Sequence, residues 1–137
     1  MPIITRWYIK AALIFLLLSL SLGLWLGLSA SGVAVPVGIS AVFFHFLLVG
    51  WVTQMIFGVA YWMLPKYSRE RPHRSESSAW WTFWLLNAGL VLRGIGEPLI
   101  SLRSGALVPA MLITSALLQW LACVLFVVNS WPRVKER

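Results

Sequence analysis

Four stretches of this sequence, at about 8–30, 39–64, 79–100 and 106–130, are long and apolar enough to cross a bilayer, which takes roughly 20 residues each. Hydrocarbon cannot hydrogen-bond a backbone, so such stretches are restricted to helices that satisfy themselves. Composition agrees. Of 137 residues, 60% are hydrophobic and 11% are charged, against about 25% charged in a soluble domain. The mean hydropathy is +0.84. The expected fold is an all-α integral membrane protein, one domain over 1–137, with four transmembrane helices. Short connections make sequential helices antiparallel.

The net charge of +7 invites a nucleic-acid reading, which the charge distribution opposes. Arg6 and Lys10 lie at the start of the first helix. Lys66, Arg69, Arg71 and Arg74 lie between the second and third, and Arg133, Lys135 and Arg137 lie at the C-terminus. Only Arg93 and Arg103 of the eleven basic residues fall on the opposite side, and the loop 31–38 carries no charge. This positive-inside pattern predicts both termini on the cytoplasmic face. The basic groups are then topology signals and lipid-headgroup partners. The N-terminal segment has features of a secretory signal, but its apolar run is too long for a signal core and reads as an uncleaved span. Cys123 alone allows no internal disulfide.

Gly23 and Gly27, with Ser31 a turn later, form a small-xxx-small pattern suited to close helix packing. In the second helix, Gly50, Gln54, Phe57, Gly58 and Tyr61 cluster on one side. Glycine beside a buried amide predicts a tight helix contact, with Gln54 bonded to a neighbour. Pro65 ends that helix. Trp80, Trp81 and Trp84, with Trp62, Tyr61 and Tyr67, read as an interfacial aromatic belt. His73, in a loop among arginines, reads as solvated. The Gly94, Gly96 and Pro98 region should loosen or end the third helix. Thr114, Ser115, Gln119 and Asn129 are candidate interhelical hydrogen-bond formers, and Pro109 fits the first turn of the last helix.

His45 is the chief functional candidate. Ionisable residues inside a membrane helix are costly and mark functional sites by default. At 100° per residue, Val49, Val52, Ile56, Val59 and Met63 lie within about 40° of it, giving an apolar face that suits a flat ring. A neutral imidazole binds metals, and haem iron takes an axial histidine. Arg93 falls at similar depth on the third helix and could pair with haem propionates. The plainer alternative is a histidine hydrogen-bonded to a neighbouring helix. Glu97 beside Arg93 suggests an interfacial ion pair. No phosphate loop, Cys-x-x-Cys or carboxylate pair within the membrane is present, and no catalytic residue is assigned.

The run His45-x4-Gly50-Trp51-Val52-Thr53-x-Met55-x-Phe57-Gly58-x2-Tyr61-x-Met63-Leu64-Pro65-Lys66 resembles helix 2 of subunit I of the haem–copper oxidases. It is nearest the branch of nitric oxide reductases and C-type cytochrome oxidases. The similarity extends weakly through Trp84–Arg93. The resemblance implies that His45 ligates a haem b, with Val49, Val52 and Ile56 against the ring and Arg93 and Arg103 near the propionates. It implies one four-helix arc of a larger twelve-helix plan, as in short four-helix relatives. Phe43 and Trp62 stand where several such relatives carry further histidines. Copper is not expected, since the membrane part holds no second histidine. A homotrimer or dimer would complete a haem site between subunits. The implied role is electron transfer or diatomic-gas binding in a bacterial or archaeal cytoplasmic membrane, with a respiratory-chain partner. The alternative is a cofactor-free structural or assembly subunit, and a small channel or transporter is third. Reporter fusions test the orientation: a C-terminal fluorescent protein should fluoresce, and a C-terminal alkaline phosphatase should be inactive.

Overall fold

The computed structural model describes residues 1–70, 73–100, 102 and 105–134. Among these the secondary structure is entirely helical. Helix α1 is Ile3–Leu28. The second helix is continuous but built in three pieces: α2 Ile39–His45, a π-helical stretch Phe46–Thr53, and α3 Gln54–Met63. Helices α4, Glu76–Leu99, and α5, Leu107–Ser130, follow. Three helical stretches are long and apolar enough to cross a membrane: Ile3–Ser31, Ile39–Met63 and Leu107–Arg133. Helix α4 has the length, but its sequence, with Arg93 and Glu97, is more polar, and it is not one of these three.

Local chemistry sets the helix ends. Pro2 precedes α1, which begins five residues earlier than its apolar run suggests. Leu64, before Pro65, turns to ψ 146° and stops α3. The Ser75 hydroxyl accepts from the Ser78 amide and caps α4. Pro98 does not end α4; it is accommodated within the last turn.

The second helix packs on α1 through its glycine side. Gly50, Gln54, Phe57, Gly58 and Tyr61 are all buried, as their spacing predicts. A methyl group at Gly50 would collide with the Phe15 ring, and one at Gly58 with Tyr8. Of the α1 glycines, Gly23 lies under Phe43, while Gly27 has open space around it. Polar side chains cross between helices. Gln54 donates to the Asn87 side chain at 3.3 Å. Ser115 donates to the Gly89 carbonyl at 2.7 Å, Asn129 to the Ser75 carbonyl, and Tyr8 to the Ala79 carbonyl. Thr114 bonds its own helix at Ala110, and Gln119 bonds Ser115 on the same helix.

Two residues depart from their expected surface roles. Tyr61 is buried at 2% exposure, so it belongs to the core and not to the aromatic belt. Arg133 is fully buried. Its guanidinium donates to the carbonyls of Tyr61 and Leu64 at 2.9 Å and of Pro65 at 3.1 Å, and lies over the Tyr61 ring. A cation on the last carbonyls of a helix complements its dipole. Lys135 and Arg137 lie outside the described residues, as does Arg71. Arg133→Met should lower the unfolding free energy in detergent by about 2 kcal/mol, the scale of losing charged hydrogen bonds to buried carbonyls. Arg133→Lys should recover only part, because an ammonium lacks the fork.

Candidate functional site

His45 is the last residue of α2, where the i→i+5 segment begins. The π stretch is a departure from the ideal helix assumed in the sequence reading. Each such turn spends an extra residue, so residues beyond it rotate relative to His45. The Thr53 hydroxyl donates to the Leu48 carbonyl, five residues back. Val49, four residues after His45, packs toward the core, and not on an open face. Val52 is half-buried, and Ile56 is exposed.

The imidazole is held at both nitrogens. Nδ1 lies 2.8 Å from the Ala41 carbonyl oxygen. A carbonyl only accepts, so Nδ1 carries the proton and the ring is in the Nδ1–H form. Nε2 is therefore the acceptor. It faces Arg93, with Nε at 3.2 Å and Nη2 at 3.1 Å. Arg93 Nε is also 3.2 Å from Glu97 Oε1, one turn along α4. A line of polar groups thus runs Glu97–Arg93–His45–Ala41, joining α2 to α4. The sequence placed His45 and Arg93 at similar depth; the structure brings them into contact.

Packing supports this line from both sides. Gly38, at φ 94°, lies against the Glu97 backbone, where any side chain would collide. Gly94 lies under the Phe46 ring, and Phe46 meets Phe15 edge-on at 5.0 Å. Arg103 lies outside the described residues.

The donor set suits a single axial ligand. Metal-bound histidines typically donate the other ring N–H to a carbonyl or carboxylate, which fixes the ring and raises its basicity. His45 has that arrangement through Ala41. No group of three or more metal-ligating side chains occurs among the described residues. A haem iron, whose equatorial ligands come from the porphyrin, would ask the protein for only one or two. In the present arrangement, Arg93 occupies the position from which Nε2 would bind.

A second polar cluster sits at the far end of the second helix. The His73 ring is tilted against Tyr61 with centroids 5.0 Å apart. Its Nδ1 is buried with no partner among the described residues, as are Tyr61 Oη and Arg133 Nη1. His73 is thus half-buried and not solvated as its loop position suggested. The sequence reading missed this cluster because its members come from three separate segments.

Residues 38–100 match the family model described as Cytochrome C and Quinol oxidase polypeptide I. The matched segment contains His45, the π stretch, the Gln54–Asn87 bond and the Arg93–Glu97 pair. No characterised protein and no solved structure matches the chain. The chain is a multi-pass membrane protein. Its central segment is similar to subunit I of the haem–copper oxidases.

Burial lowers the His73 pKa below its ordinary value, and the positive charges of Arg133 and Lys66 lower it further, against Glu76. The unfolded chain then binds this proton more readily than the folded one. Stability is greatest above the unfolded value of about 6.5 and is lost as pH falls through and below it. Thermal unfolding between pH 7.5 and 5 should show that loss, and His73→Gln should flatten it.

Proposed function

We propose that this protein is a membrane haem-b protein, with His45 as axial ligand, serving electron transfer or diatomic-gas binding. The observation that carries the reading is the His45 ring itself: Nδ1–H is anchored on Ala41 and the Nε2 lone pair points outward from the helix. The similarity of residues 38–100 to oxidase subunit I supports it. Bound haem iron supplies one-electron chemistry or an open coordination position. The chain's own residues do the rest. The Ala41 carbonyl holds the imidazole orientation and its tautomer. Arg93 would have to release Nε2 for the ring to hold iron, and its guanidinium would then be the group to hold a propionate carboxylate. Glu97 remains one turn away and keeps that cation close. Val52 and Ile56 offer apolar surface alongside. Val49 supports the helix from the core side.

One intramembrane histidine per chain leaves a sixth position to a second copy, another residue type or a gas. The reading therefore includes a homo-oligomer, a dimer or trimer, with four spans and both termini cytoplasmic in a bacterial or archaeal membrane. A respiratory-chain protein is the natural electron partner. Lipid surrounds the bundle.

A second reading has a specific observation in its favour. Arg93 satisfies His45 Nε2, and Glu97 forms an ion pair with Arg93. A structural or assembly subunit without cofactor needs nothing more of these residues. Absorption spectroscopy separates the two. The haem reading expects a Soret band in purified or haemin-reconstituted protein, lost in His45→Ala but retained, with weaker haem affinity, in Arg93→Ala. A reconstituted protein without that band leaves only the structural reading.

A further inference from the structure

The polar cluster beyond the C-terminal end of α3 borders a cavity of about 680 Å³. Its wall is two-sided in character. Ile3, Trp62, Met63 and Leu64 are apolar, while Lys66, His73 and Glu76 are polar. Trp62 and Met63 are exposed, Met63 at 70%. Arg133 bonds to the carbonyls of Leu64 and Pro65, both of which line the cavity. Its charge is therefore delivered directly behind that wall.

Two observations point to a ligand. The first is charge: Lys66 is on the described lining, Arg133 is a second fixed cation behind it, and Glu76 is the one carboxylate on that lining. The second is hydrogen-bonding capacity left over. On the lining, His73 Nδ1 has no partner among the described residues, and Arg133 Nη1 and Tyr61 Oη, buried behind the wall, have none among them either. Buried donors are rarely left unmade, because each costs free energy.

We propose that this cavity binds the phosphate headgroup of an anionic phospholipid, with the first part of an acyl chain against Trp62, Met63 and Ile3. A free phosphate would use the cations but has no need of the apolar half. A neutral lipid would use the apolar half and leave the cations unanswered. The cavity lies where the second helix leaves the apolar segment, beside Pro65, at headgroup level for a spanning helix. Basic groups at such a surface attract anionic lipid with about a five-fold preference each. The site is independent of His45, which lies near the other end of the same helix.

The test is lipid retention by native mass spectrometry. Full-length protein is released from nanodiscs made of an equimolar mixture of phosphatidylglycerol and phosphatidylcholine. Wild type should hold phosphatidylglycerol in preference. Lys66→Gln with His73→Gln should lose at least about five-fold of that preference, with helicity by circular dichroism unchanged. Lys10→Gln, a basic residue outside the cavity lining, should keep it. Trp62→Ala should lower retention of both lipids. An unchanged preference in the Lys66/His73 variant overturns the proposal, as does an equal loss in Lys10→Gln. Displacement of the lipid by millimolar inorganic phosphate overturns the lipid assignment in favour of a soluble anion. If the double variant does not fold, Lys66→Glu alone decides, with loss of preference expected and its persistence overturning the site.

Discussion

Hydrocarbon offers no hydrogen bonds, and the fold is organised around that constraint. Some polar side chains within its helices find partners in neighbouring helices: Gln54 on Asn87, Ser115 on the Gly89 carbonyl, Tyr8 on the Ala79 carbonyl. With no hydrophobic drive between helices in lipid, such bonds and close van der Waals packing hold the bundle. Gly50 and Gly58 let the second helix approach Phe15 and Tyr8. That approach sets the rotation of the second helix and therefore the direction of His45.

The same constraint gives the two ends of the second helix different chemistry. At the His45 end, an imidazole, an arginine and a glutamate form one line of polar contacts. At the Pro65 end, a buried arginine caps the helix, and one of its nitrogens and polar atoms of Tyr61 and His73 have no partner among the described residues. At the first end, His45 Nε2 opens only if Arg93 moves. The second is incomplete, which is why a ligand is inferred there. The π stretch separates the two, and Val49 packs toward the core, so the apolar surface near His45 is narrower than the helical wheel presents.

Particular residues show how much was legible. Gln54 and its glycines were readable because a buried amide next to small residues has few other uses. His45 was readable because an imidazole among apolar neighbours stands out, and Pro65 because proline stops a helix regardless of context. Arg133 was not readable. A basic residue near a chain end has the same local pattern whether it faces lipid headgroups or folds back onto another helix. His73 and Tyr61 were misread for the same reason: burial depends on segments far away in sequence.

The sequence by itself determined that the chain is helical, membrane-spanning and marked by one intramembrane histidine, because hydropathy and residue type act locally. Its run of residues after His45 was also enough to show the similarity to oxidase subunit I. Tertiary structure alone decided what His45 touches, which way Val49 turns and where Arg133 goes. Those outcomes depend on packing and hydrogen bonds between distant segments, which a helical wheel does not contain.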